Sequence, residues 1–170
     1  MEEVLIVDGY NMIGAWPELV RLKDTNLEEA RDRLIQMLAD YQAFSGMKTY
    51  VVFDAYKVPG HGGKYRESRI SVWFTKEKET ADEVIERLVR ELSGRRRRIF
   101  VATSDLAEQT VVFGQGALRK PARELLIDIH ESRKDVRKKI QELEEKPSNT
   151  FDSKLGRDLR QIFEKWRRGQ

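Results

Sequence analysis

Apolar residues recur along this chain in two rhythms. Val4-Leu5-Ile6-Val7, Tyr50-Val51-Val52-Phe53 and Ile99-Phe100-Val101-Ala102 are unbroken runs rich in β-branched and aromatic residues. They predict strands buried on both faces, as in a parallel sheet, over about 4–7, 49–54 and 98–103, with another over 70–74. Elsewhere the spacing shifts to three and four. Ala30, Leu34, Met37, Leu38 and Tyr41 predict a helix from Leu27 to Phe44, with Ser45-Gly46 as its stop. Ala81, Val84, Ile85, Leu88, Val89 and Leu92 predict a second, ending near Ser93-Gly94. Thr80 and Glu83 have capping-box spacing, so Thr80 is its expected N-cap. A long helix is expected from Pro121 to Lys146, since proline fits a first turn. After Pro147-Ser148-Asn149, residues Leu155, Leu159, Ile162, Phe163 and Trp166 predict a last amphipathic helix from Ser153 to Arg168. Lys57 to Arg69, with Pro59 and three glycines, reads as a loop. The alternation predicts an α/β fold with a parallel, three-layer sheet. It divides the chain into a domain over 1–145 and a basic helical tail over 146–170.

Three of the apolar runs end in an acid. Asp8 closes the first and Asp54 the second, and Asp105 lies just past the third. Open α/β sheets bind ligands beyond the carboxyl ends of their strands, so these acids stand where chemistry is done. Asp82 joins them from the first turn of the Thr80 helix, and Asn11 lies one turn beyond Asp8. Each acid also has a purely structural explanation. Asp before Gly often makes a turn. Asp82 and Glu83 offset a helix dipole. Ser104 or Asp105 could cap a helix over Leu106 to Val112. The recurrence at equivalent ends of separate elements is what points beyond those roles.

Carboxylates a few ångströms apart repel, and a cation relieves them. Oxygen ligands suit Mg²⁺ or Mn²⁺, which can activate water and stabilise an in-line phosphodiester displacement. There is no cysteine, which excludes a thiolate site, and the two histidines, His61 and His130, read as solvent-facing.

The segments Asp8-Gly9-Tyr10-Asn11, Val51-Val52-Phe53-Asp54-Ala55, Thr80-Ala81-Asp82 and Thr103-Ser104-Asp105 resemble the NYN domain, in its YacP-like bacterial branch. So do Phe113-Gly114, Gly116-Ala117, Arg119 and Ala122-Arg123-Glu124-Leu125. The resemblance covers about residues 1–145. It implies a PIN-like ribonuclease fold with a C-terminal helical extension. It also implies a metal-dependent endoribonuclease, with Asp8, Asp82 and Asp105 on the metal, Asn11 as a polar helper, and mRNA decay in association with the ribosome. Many such sequences carry a second acid two residues after the Thr-Ser-Asp aspartate. Here that position is Ala107, which leaves the number of metals open and Asp54 as a further candidate ligand.

Charge changes the picture next. The net charge is +3, but from Arg133 to Gln170 twelve Lys and Arg face seven Asp and Glu. An acidic head with a basic tail suits a polyanion held away from the metal. Lys57, Lys64, Tyr65, Arg66 and Arg69 are expected in the loop beside the Asp54 edge, where a tyrosine among cations could stack on an unpaired base. Arg119 and Arg123 are further RNA contacts. The Arg95 to Arg98 run enters its strand at the amino end, opposite the acids. No basic leader or long apolar span is visible, so a cytoplasmic protein is expected, with RNA and the ribosome as partners and neither membrane nor DNA. Two other classes stay open. One is a non-catalytic RNA- or ribosome-binding adaptor, favoured by Ala107. The other is a nucleotide-binding enzyme, disfavoured because Gly9 to Gly14 matches no phosphate-binding motif.

Overall fold

The computed structural model describes residues 1–54, 63–67, 69–94, 96–105, 114–145 and 159–167. Its strands are β1 (Glu2–Asp8), β2 (Lys48–Phe53), β3 (Gly63–Glu67), β4 (Ile70–Phe74), β5 (Arg97–Ala102) and β6 (Leu118–Arg119). They form one sheet in the order β3-β4-β2-β1-β5-β6. Five strands are mutually parallel, and β3 runs antiparallel to β4 at the edge. The helices are α1 (Gly9–Ala15), α2 (Pro17–Thr25), α3 (Leu27–Ser45), α4 (Ala81–Leu92) and α5 (Ala122–Glu145). Residues 159–167 form a terminal helix, labelled α6.

The expected helices and parallel strands are present within a residue or two wherever they fall on described residues. Thr80 Oγ1 accepts the Glu83 N–H at 3.2 Å and caps α4. Asn26 caps α3 in the same way, and Gly46 ends it in the left-handed region at φ 76°. One expectation is corrected. The loop expected over 57–69 contains β3. Gly63-Lys64-Tyr65-Arg66-Glu67 has no apolar period, but the open edge of β4 offers its backbone amides partners. The segment after β1 holds two short helices, α1 and α2, with Pro17 opening the second. The helix expected over Leu106 to Val112 lies outside the described residues, as do Lys57, His61, Arg95 and the first part of the last helix.

Two clusters of buried side chains flank the sheet. Leu5, Val7, Val51, Phe53 and Val72 face Met12, Ile13, Leu34, Leu38, Leu125 and Ile129. On the other face Val4, Ile6, Val52, Ile99 and Val101 meet Val84, Ile85, Leu88 and Val89 of α4. Each fully buried aliphatic side chain contributes about 1.5–3 kcal/mol. Because both faces are covered, the strands are apolar at successive positions, which is why they read so clearly in the sequence. α6 packs on α3 and α5. Phe163 is buried, Gln36 donates to the Arg167 carbonyl, and Arg160 pairs with Glu144.

Candidate active site

β1, β2 and β5 run the same way, so their last residues share one edge. Asp8 ends β1 opposite Val52. Asp54 follows β2, and Thr103, Ser104 and Asp105 follow β5. α4 leads from the end of β4 to the start of β5, so its first turn, with Asp82, lies at the same carboxyl edge. Pleating adds the face. Ile6, Val52 and Val101 all pack toward α4. Side chains alternate along a strand, so Asp8, two positions beyond Ile6 and still in β1, belongs to that face as well, while Asp54 and Thr103 follow directly after β2 and β5. The structure therefore brings Asp8, Asp54, Asp82 and Asp105 to one edge.

Local contacts set their positions. Asp8 is the N-cap residue of α1, at φ −77° and ψ 101°, yet its side chain makes no capping hydrogen bond. Gly9 lets α1 start at once, because a Cβ there would collide with the Phe53 ring at Cε1 and Cδ1. Tyr10 packs edge-on against that ring at 5.2 Å between centroids, and Phe53 stacks on Phe74 at 5.6 Å. Arg31 Nη1 donates to the Tyr10 hydroxyl at 3.2 Å. Burial raises the Tyr10 pKa, with Arg31 partly opposing, so the phenol stays protonated at neutral pH.

Asn11 does something spacing could not show. Its Oδ1 accepts from both the backbone N–H and the hydroxyl of Ser104, each at 2.9 Å. The residue thus fastens the segment after β5 to α1. Its amide nitrogen makes no hydrogen bond among the described residues. Asp105 N–H donates to Thr103 Oγ1 at 3.1 Å, and the fully buried Thr103 holds that turn in place. Thr75 after β4 is similarly buried. Its N–H donates to the Phe53 carbonyl at 3.0 Å, and its hydroxyl makes a long contact of 3.5 Å with Asp54 Oδ1. Sequence reasoning missed Ser104, Thr75 and Thr103 as site-shaping residues. The available signal was a hydroxyl residue placed directly after an apolar strand, as Thr75 and Thr103 are.

Carboxylate, amide and hydroxyl oxygens make up this donor set, and such donors suit a hard divalent cation. Among the described residues no three His, Cys, Asp or Glu side chains are gathered tightly enough to hold a metal between them. Oxygen donors of this kind suit the Mg²⁺ style of binding, in which one or two carboxylates share the ion with water and substrate phosphate.

The basic candidates divide. Arg119 pairs in register with Val101 near the carboxyl edge, and both it and Arg123 are exposed. The β3 backbone descends from Gly63, opposite Phe74, to Glu67, opposite Ile70, so Lys64 starts near the acids and Arg66 lies further from them. Arg69, expected beside Asp54, instead sits at the amino end of β4, across the sheet from the acids. β3 runs back along the edge of the sheet and carries the chain away from the acids before Arg69 is reached. Arg97 and Arg98 also lie at the amino edge, where Arg97 Nε pairs with Glu2 Oε2 at 3.0 Å. His130 is exposed on α5.

Fold and acid-bearing edge together define an α/β domain of the NYN type, a nuclease-type family. The YacP-like NYN domain model matches residues 5–168, and the chain belongs to that family. It is 49% identical to YacP of Bacillus subtilis (strain 168) over 168 residues, 98% of each chain. The crystal structure of Rae1 (YacP) from Bacillus subtilis superposes with a TM-score of 0.75, at 49% identity over 98% of this chain and 95% of that one. A tryptophan-to-leucine variant of the same protein matches with a TM-score of 0.77 and 45% identity, over 90% of this chain and 89% of that one. Among the described residues no helix is long and apolar enough to cross a membrane.

Proposed function

We propose that this chain is a cytoplasmic, metal-dependent endoribonuclease that cleaves single-stranded RNA, with mRNA in association with the ribosome as its substrate. One observation carries the proposal: three parallel strands deliver Asp8, Asp54 and Asp105 to one edge, where α4 opens with Asp82. Carboxylates gathered there favour a divalent cation. Of Asp8, Asp82 and Asp105, one or two would touch Mg²⁺ or Mn²⁺ directly and the rest through water, with Asp54 as a further candidate. The ion supplies an activated water and offsets charge at the scissile phosphate. The protein's own groups orient the RNA. The Asn11–Ser104 clasp fixes α1 relative to the end of β5, which sets Asp8 and Asp105 at one separation. The Asn11 amide nitrogen donates to a phosphate oxygen. Arg119 and Arg123 meet neighbouring phosphates, and Lys57, Lys64, Tyr65 and Arg66 hold RNA on the β3 side. Arg69 is left out of the cleft by its position.

The test uses labelled mRNA, naked and on translating ribosomes, with Mg²⁺ or Mn²⁺. Wild type should cut in a chelator-sensitive way, and Asp8→Asn should bind but not cut. Cutting by both would remove the proposed site. The second reading, an RNA- or ribosome-binding adaptor, is favoured by Ala107, which stands where many such sequences carry a further acid. Retained binding with no cleavage by wild type in either format would establish it.

A further inference from the structure

The layer opposite α4 holds a second concentration of charge. Between α3, α5 and α6 lies a cavity of about 330 Å³. Arg33, Arg133, Arg137 and Arg167 line it, with Asp40 as the one carboxylate among the described residues of its wall. Phe44, Phe163 and Trp166 form the apolar side, and Trp166 meets Phe163 edge-on at 5.1 Å. Asp40 and Phe44 lie in the last turns of α3, which ends just before β2 begins, so this part of the cavity wall lies toward the amino edge and away from the acids.

The charges in this cavity do not balance. Arg33 Nε is paired with Glu18 Oε1 at 2.8 Å, and Asp40 Oδ1 accepts from Gln36 Nε2 at 3.0 Å. Arg133, Arg137 and Arg167 make no ion pair among the described residues. Three guanidinium groups are thus left around one carboxylate. Burial lowers the Arg133 pKa, with repulsion from Arg33 adding to it and the charges of Asp40 and Glu18 partly opposing. Guanidinium forks match phosphate oxygens in pairs, and both guanidinium planes and indole rings stack on nucleobases. A volume near the lower end of ligand pockets, about 300–1,000 Å³, admits one nucleotide rather than a length of strand.

We propose that this cavity binds a nucleoside phosphate, the base against Trp166 and the phosphate on Arg133, Arg137 and Arg167. The ligand is either a free nucleotide or one nucleotide unit of an RNA. Because the cavity lies in the layer opposite α4, this inference stands apart from the nuclease proposal.

Equilibrium dialysis of the full chain against AMP, inorganic phosphate and a short oligoadenylate tests it, with tryptophan fluorescence followed in parallel. Saturable AMP binding at least tenfold tighter than phosphate is expected, with a fluorescence change that Trp166→Phe removes. The double variant Arg133→Gln with Arg137→Gln should weaken binding at least tenfold. The exposed Arg137→Gln alone should weaken it in the same direction, which covers the case where the half-buried Arg133 site disturbs folding. AMP bound tighter than the oligonucleotide assigns a free nucleotide, and the reverse order assigns an RNA unit. Asp8→Asn should bind as wild type does, which separates this result from any failure of the nuclease proposal. Phosphate binding as tightly as AMP, no saturable binding of AMP or oligonucleotide, or arginine variants that bind like wild type would each overturn the inference.

Discussion

Among the described residues, one face of the sheet is built thick and the other thin. α1, α2, α3 and α5 cover the first, and Trp16 Nε1 ties them together by donating to the Ala122 carbonyl at 2.9 Å. Among the described residues α4 alone covers the second. The difference shows on which side the acids gather: the pleat directs Asp8 to the side of α4, whose first turn carries Asp82. The thick face contributes indirectly, because Phe53, Tyr10 and Gly9 lock α1 in place and so fix Asp8.

The sharpest test is to remove one residue from each face. Asp82→Asn should lower cleavage on the order of a hundredfold or more while changing stability by about 0.5 kcal/mol or less. Leu38→Ala, at a fully buried position of α3, should cost about 2–5 kcal/mol of stability, most of it as a cavity. Urea melts beside single-turnover cleavage read both. A comparable stability loss in Asp82→Asn would make the thin face structural too.

A second test falls where the faces meet. Gly9→Ala places a methyl group against the buried Phe53 ring. Overpacking of this kind costs about 1–3 kcal/mol. Because α1 must shift, Asn11 should loosen its hold on Ser104 and cleavage should fall as well. Stability lost with full activity retained would uncouple α1 from the site.

The same contrast explains which parts of the molecule sequence could reveal. Burial on both faces writes unbroken apolar runs, so β1, β2, β4 and β5 were legible. α3 and α4 are long enough to show a helical period, and the acid edge followed from parallel strands alone. β3 was not legible, because the open edge of β4 creates it rather than any pattern of its own. α1 and α2 are short and separated by Trp16 and Pro17, and β6 has only two residues. The wrong edge for Arg69 follows from missing β3. The Asn11–Ser104 clasp joins residues 93 apart, a distance no local spacing encodes.

A smaller effect probes how the thin face is anchored. Thr80→Ala removes the side-chain acceptor of the Glu83 N–H and should cost about 1 kcal/mol. Hydrogen exchange should speed up in the first turn of α4, where Asp82 lies, and stay unchanged in α3. Equal acceleration in both helices would mean that the two faces open as one unit.

The smallest effect concerns Glu79, just before that cap. Burial, the largest single influence, raises its pKa. Hydrogen bonds from Arg87 Nη1 and the Lys76 N–H, with the charge of Arg87, together outweigh burial and leave it below the usual 4.5. Because the folded value lies below the unfolded one, the stabilisation is fully present above about 4.5 and is lost as pH falls through the folded value. Both partners keep some exposure, 17% for Glu79 and 38% for Arg87, so the pair is worth about 0.2–1 kcal/mol. The stability difference between wild type and Glu79→Gln should be flat from neutral pH to about 5, then shrink in acid. A difference that stays constant in acid would mean that Glu79 acts through packing and not through its charge. A shrinking one would mean that α4 is held at its opening by polar contacts, where α3 is held by its core.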